Sequence, residues 1–180
     1  MLKGKHFYLR PFTEDDVTEC LNLEKRNRSF FAAYSIEREE DFYTEEAQLK
    51  RIRQAISRQA KEEEYHFGMF LNEEHKLIGT INLFQVKRGP VQCALIGYVL
   101  DKSHNGKGYM TEAAKLVVDF GFNELKLHRI EAGVMPHNIG SIRVLEKAGF
   151  HKEGIAKKNV KINGKWEDHQ VLAIINPEDM

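Results

Sequence analysis

A chain of 180 residues with 42% hydrophobic and 30% charged content is sized for one domain, residues 1–180, with a sizeable core, and its composition is not that of a disordered segment. Its 27 basic and 27 acidic residues cancel, which argues against a nucleic-acid partner, and no apolar run approaches the roughly 20 residues of a membrane helix. The opening MLKGKHFYLRPF lacks the apolar stretch of an export signal, and Cys20 and Cys93 form neither a CxxC pair nor a disulfide framework, so the chain reads as cytoplasmic.

Phe7 to Phe12 reads as a first strand, stopped by Pro11. Thr13 followed by Glu14, Asp15 and Asp16 is an N-cap with acids in the first turn, and Val17, Cys20, Leu21 and Leu23 carry a helical stripe to about Asn27. Residues 28–43 read as irregular and aromatic, with six acids between positions 37 and 46. A solvated loop is the first reading of that segment, and a cover over a cleft that draws in a cation is the alternative. Thr44 caps a long polar helix to about Glu63. Three strands follow at Tyr65–Leu71, Leu77–Val86 and Val91–Leu100, joined by hairpin connections.

The last of these strands runs into Asp101 to Asn105, then Gly106-Lys107-Gly108, and a helix pattern opens at Tyr109. Strand, glycine turn and helix start gather unsatisfied main-chain N–H groups at one point, where the helix dipole also favours negative charge. Neither GxxxxGK[ST] nor GxGxxG is present, so the two common nucleotide loops are excluded, and two glycines alone also fit an ordinary turn. Tyr109, Ala113, Leu116, Val117 and Phe120 recur at helical spacing, and Arg129–Val134 is the next strand. The resulting β-α-β unit implies a parallel pair inside an otherwise antiparallel sheet. Asn138 caps a helix from Ile139 to Ala148, Gly149 ends it, and Phe150 begins another strand. Asn163-Gly164 marks a type I′ hairpin, and the last strand runs from about Val171 to Ile175.

IGYVLD, NGKGYMTEA and HRIEAGVMPHNIGSIRVLEKAGF, taken together, resemble the GCN5-related N-acetyltransferases (GNAT), and most of all the branch that acetylates the N-terminal alanine or serine of ribosomal proteins. The resemblance covers nearly the whole chain. It implies an α/β (α+β) fold with a mostly antiparallel sheet of about seven strands and about four flanking helices, splayed at the central parallel pair. It implies acetyl-CoA or CoA as co-substrate, with the pyrophosphate on Asn105, Gly106, Lys107, Gly108, Tyr109, Met110 and Thr111. Asn105 and Met110 depart from the family pattern at its outer positions. The pantetheine arm is expected along Tyr98, Val99 and Leu100, like an added strand, with Asn138 contacting it. Ser141 corresponds to the serine that the branch places near the thiol as general acid. Leu145 stands where many members carry a tyrosine and cannot donate a proton.

The implied chemistry is direct attack of a neutral amine on a thioester, with a main-chain N–H near Val99 facing the developing oxyanion. An α-amine of pKa ~8 costs about 1.4 kcal/mol to deprotonate at pH 7, and a lysine of pKa ~10.4 about 4.6 kcal/mol. A protein N-terminus therefore needs little help, whereas a lysine needs a placed base. Glu131, Asp168, His128 and His169 are present, and spacing selects none of them. The acceptor reads as the N-terminal amine of a ribosomal or other protein. A small-molecule amine and a noncatalytic acyl-CoA-binding module stand as alternatives, and both a monomer and a homodimer fit.

Overall fold

The computed structural model describes all residues, 1–180. One sheet of eight strands runs in the order β1-β2-β3-β4-β5-β6-β8-β7. The strands are β1 (Leu2–Lys3), β2 (Phe7–Pro11), β3 (Tyr65–Leu71), β4 (Leu77–Lys87), β5 (Cys93–Leu100), β6 (Arg129–Val134), β7 (His151–Ile162) and β8 (Lys165–Ile175). The helices are α1 (Val17–Arg26), α2 (Arg28–Ala32), α3 (Glu45–Ala60), α4 (Tyr109–Asn123) and α5 (Ile139–Lys147). The count is eight strands and five helices, against the seven and four expected. The extra strand, β1, is two residues long and exists only through its pairing with β2. The extra helix, α2, is one turn and a half, too short to show a period in sequence.

Every neighbouring pair is antiparallel except β5 and β6, which are parallel and joined by α4. That crossover is forced, because parallel neighbours cannot be linked by a tight turn. α4 and α5 share the larger core with both halves of the sheet, where Met110, Ala113, Val117, Ile142 and Leu145 meet Leu83, Ile96, Ile130 and Leu172. Residues of α1 and α3 pack in a smaller cluster, where Leu23 and Ile52 meet Phe70 and Leu77.

The hairpin at residues 163 and 164 takes the expected form, with φ of +52° at Asn163 and +80° at Gly164, as a type I′ turn requires. The final strand is longer than expected: Lys165 to Ile175 run without a break, because β8 lies between β6 and β7 and is bonded on both edges.

Candidate active site

β5 and β6 stay together for only three residue pairs, Cys93–Leu95 against Arg129–Glu131. β5 then follows β4 as far as Leu100, while β6 follows β8 as far as Val134, and the sheet opens between them. The opening is a cleft of about 690 Å³, walled by Ile96 to Leu100 on one side and Ala132 to Met135 on the other. Its size falls within the usual range for small-molecule sites.

Main-chain direction follows from the register. Asp101 N–H donates to the Ile78 carbonyl at 2.7 Å, and Thr80 pairs with Val99 and Ile81 with Tyr98. Bonded and non-bonded pairs alternate in an antiparallel ladder. Gly97 and Val99 therefore direct their main-chain groups to β4, and Ile96, Tyr98 and Leu100 direct theirs into the cleft. The donor expected at Val99 thus faces the sheet, and the nearest free ones belong to Tyr98 and Leu100. The same parity, set by the Asn176 N–H bond to the His128 carbonyl, turns the main chain of Gly133 toward the cleft from β6.

At one end of the cleft lies the glycine turn. Gly106 and Gly108 both have φ of +79°, and an added Cβ at either would meet nothing within 4 Å. Six consecutive amides, Gly106 to Thr111, make no hydrogen bond to protein, main chain or side chain. Asn105, Gly106, Gly108, Tyr109, Met110 and Thr111 line the cleft. Lys107 does not: its side chain is exposed, with Nζ 5.9 Å above the Tyr109 ring. An open row of N–H groups at a helix start fits a diphosphate.

The turn is anchored from behind by contacts that no local pattern announces. Arg26, at the end of α1, donates to the Asp101 carboxylate at 2.6 Å and to the Leu77 carbonyl at 2.7 Å. Asn27 accepts the Lys102 N–H at 2.9 Å. Burial works to raise the Asp101 pKa, but hydrogen bonds from Arg26 and Ser103 outweigh it and hold the carboxyl below its ordinary value.

In the middle of the cleft, Ser141 and Tyr98 meet. Tyr98 Oη is 2.7 Å from Ser141 Oγ and 3.2 Å from the Ser141 carbonyl. Burial pushes the Tyr98 phenol up to about 12, more than the hydrogen bond to Ser141 lowers it, so it stays protonated at neutral pH. A phenol absent from position 145, where Leu145 is fully buried, is thus supplied from the facing strand. Asn138 caps α5, its Oδ1 accepting the Ser141 N–H at 3.3 Å, and its Nδ2 has no protein partner.

The far end is built from distant segments. Phe30 and Phe31 of α2, with Tyr34 and Ser35, form one lip, and Tyr34 packs against His137 with ring centres 5.5 Å apart. The hairpin tip closes the side: Asn163 Oδ1 accepts the Glu37 N–H at 2.6 Å, and its Nδ2 donates to the Ser35 carbonyl at 3.5 Å. Of residues 28–43, Phe30, Phe31, Tyr34 and Ser35 therefore line the cleft, and Phe42, Tyr43 and the acids do not. No carboxylate lines the cleft at all; its charged side chains are Arg143 and Lys147, and His169 lies in its wall.

The acetyltransferase (GNAT) domain family matches residues 6–151. Over 179 residues, 99% of both chains, the protein is 64% identical to the probable N-acetyltransferase YjcK of Bacillus subtilis (strain 168). It is 37% identical over 114 residues to the ribosomal protein uS5-alanine N-acetyltransferase of Escherichia coli (strain K12), a match covering 63% of this chain and 59% of that one. The ribosomal-protein-S5-alanine acetyltransferase from Vibrio fischeri superposes with a TM-score of 0.92 at 35% identity, over 98% of this chain and 96% of the other. RimJ from Mycobacterium smegmatis, in complex with CoA-disulfide, gives a TM-score of 0.90 at 25% identity, over 96% and 83%. With a splayed sheet, an open amide turn and relatives of this kind, the chain belongs to the GNAT acetyltransferase family and is an N-acetyltransferase.

Proposed function

We propose that the protein moves an acetyl group from acetyl-CoA to the N-terminal amine of a ribosomal or other protein in the cytoplasm. One observation carries this reading: the cleft has six unbonded amides at one end and no carboxylate anywhere along it. The amides of Gly106 to Thr111 take the pyrophosphate, while Arg143 and Lys147 on the rim face its anionic end. The main chain of Tyr98 and Leu100 pairs with the pantetheine amides, across from Gly133 and with Asn138 Nδ2 beside it. Bound acetyl-CoA supplies an activated acyl carbon. Ser141, backed by the Tyr98 phenol, donates a proton to the departing sulfur, and the Tyr98 or Leu100 N–H faces the acyl oxygen.

The absence of a carboxylate selects the acceptor. A lysine or polyamine carries about 4.6 kcal/mol of deprotonation cost at pH 7 and finds no counter-charge here, whereas an α-amine carries about 1.4 kcal/mol. The aromatic lip of Phe30, Phe31 and Tyr34 suits the short apolar side chain of an N-terminal residue. Cys20, its thiol pushed up to about 12 by burial, and Cys93, raised by burial, are inert thiols with no part in the transfer.

Thiol release from acetyl-CoA, followed with peptides beginning in alanine or serine and with N-blocked lysine peptides and spermidine, tests the acceptor. The α-amine peptides are expected to turn over at least about 30-fold faster, a conservative share of the roughly 3.2 kcal/mol difference in deprotonation. Faster turnover of lysine or spermidine would assign the site to a small or internal amine instead.

A further inference from the structure

We propose that His169 is the general base of the transfer, receiving the proton of the attacking amine on Nε2. The proposal rests on the acetyl-transfer reading above and adds the group that carries that proton away.

Position removes the other candidates. Glu131 is bonded by Arg129 at 2.7 Å, and His128 by Asp179 at 2.9 Å, both outside the cleft. Asp168 accepts the Lys158 N–H at 2.8 Å on the outer hairpin. Only His169 lines the cleft wall, with 8% of its surface exposed.

The ring is held in one tautomer. Nδ1 lies 3.2 Å from the Glu167 carbonyl, which can only accept, and 2.8 Å from Asn159 Oδ1. Nδ1 therefore carries the hydrogen and Nε2 the lone pair. Nε2 makes no hydrogen bond yet is not sealed, since the one sealed side-chain polar atom without a partner is Asn82 Oδ1, and His169 lines the cleft. A histidine placed for packing would bond or bury both nitrogens; this one bonds the first and presents the second. Gly133 of β6 lies beside the ring: a Cβ there would stand 3.8 Å from His169 Cβ and 3.9 Å from its Cδ2, ordinary contact distances.

The fold contains a device that sets this geometry. Between the pairs Ala156–His169 and Val160–Glu167, β7 has three residues where β8 has one. The bulge takes φ of +50° at Lys158, whose N–H is fixed by the Asp168 carboxylate. It delivers Asn159 onto His169, the use to which bulges beside active sites are commonly put.

An ammonium acceptor loses one proton to neutral His169, which passes it to water. The nitrogen lone pair then attacks the acyl carbon, and the C–S bond breaks as the oxyanion collapses. The sulfur takes its proton from Ser141. The second nitrogen proton leaves through Nε2 and, by way of solvent, restores the Ser141 hydroxyl. The sum is one amide, one thiol and one proton released to solvent.

The groups facing the ring are Ala156 and Asn159 from β7 and Gly133 from β6. On its own strand, Glu167 lies 3.8 Å from Lys165 and Asp168 is turned to the bulge. Elsewhere in the cleft stand Tyr34, Tyr98, Ser141, Arg143 and Lys147. No carboxylate competes for the role.

The test is turnover of an alanine-initiated peptide by wild type, His169→Gln and His169→Ala from pH 6 to pH 9.5. At pH 7 kcat/KM is expected to fall about 100-fold in both variants. The deficit should narrow above about pH 9, where the amine has shed its own proton. CoA affinity should hold within about twofold, and imidazole in the buffer should restore part of the His169→Ala rate. Variants within about threefold of wild type across the whole range would overturn the assignment. Nitrogen NMR of the wild-type protein gives a check that needs no variant: hydrogen on Nδ1 supports the proposal, and hydrogen on Nε2 at neutral pH overturns it. A wild type inactive on every amine would sink the acetyl-transfer reading as well, and so differs from an active wild type with equally active variants, which sinks this proposal alone.

Discussion

The two ends of the cleft are made differently. The cofactor end is a contiguous stretch, Asn105 to Thr111, whose open amides follow from two left-handed glycines and a helix start. The acceptor end has no contiguous stretch: α2, Tyr34, Gly133, His169 and Asn163 meet there from positions spread over more than half the chain. The donors of the first end come from local geometry, with Arg26 and Asn27 bracing the turn from behind, and the second end is made by the packing of remote segments. Substitutions should therefore sort cleanly, those at the first changing cofactor affinity and those at the second changing acceptor kinetics.

The strongest challenge to that division is Gly108→Trp. An added Cβ there meets nothing within 4 Å, so no neighbour is displaced, and the left-handed φ of +79° adds about 1–2 kcal/mol of backbone strain, which a urea titration of the variant reads separately. Loss of two charge-assisted bonds at about 2 kcal/mol each gives roughly 1,000-fold weaker CoA binding by calorimetry. Unchanged affinity would move the pyrophosphate elsewhere. Ser141→Ala should lower kcat about 50-fold while CoA affinity holds within about twofold, in a stopped-flow assay of thiol release.

Arg26→Met tests the anchor behind the turn. Asp101 is 5% exposed and Arg26 29%, so breaking the pair should cost about 2 kcal/mol of stability in urea titration, less than a fully buried pair would. The sign with pH is fixed by the depressed Asp101 pKa. Its contribution is complete above the ordinary carboxylate value near 4 and disappears as pH falls through the lower folded-state value, so wild type and variant should converge in acid. Tyr98→Phe, which removes the phenol behind Ser141, should lower kcat about fivefold and stability by about 1 kcal/mol. The smallest effect belongs to the lip: Tyr34→Ala should raise the peptide KM about threefold with CoA affinity unchanged. A change in CoA affinity there would mean that the two ends are not independent.

The same division explains how much could be read beforehand. β3 and β6 appear at the residues expected, because alternation and flanking turns are local signals. The cradle was legible for the same reason, as was Asn138 as a cap. α2 was not, since five residues are held by neighbours rather than by periodicity. The bulge at Lys158 was not, since two extra residues in an exposed strand leave no hydrophobic trace. His169 could be named among four candidates but not chosen, because what distinguishes it is a carbonyl, an amide and a place in the cleft wall.

Asn163 is the only residue whose side chain ties the tip of the last hairpin to the segment after α2, through Glu37 and Ser35. Two hydrogen bonds from one amide thus fasten together segments more than 120 residues apart at the edge of the cleft. The consequence is that the shape of that edge depends on a side chain that does not itself line the cleft.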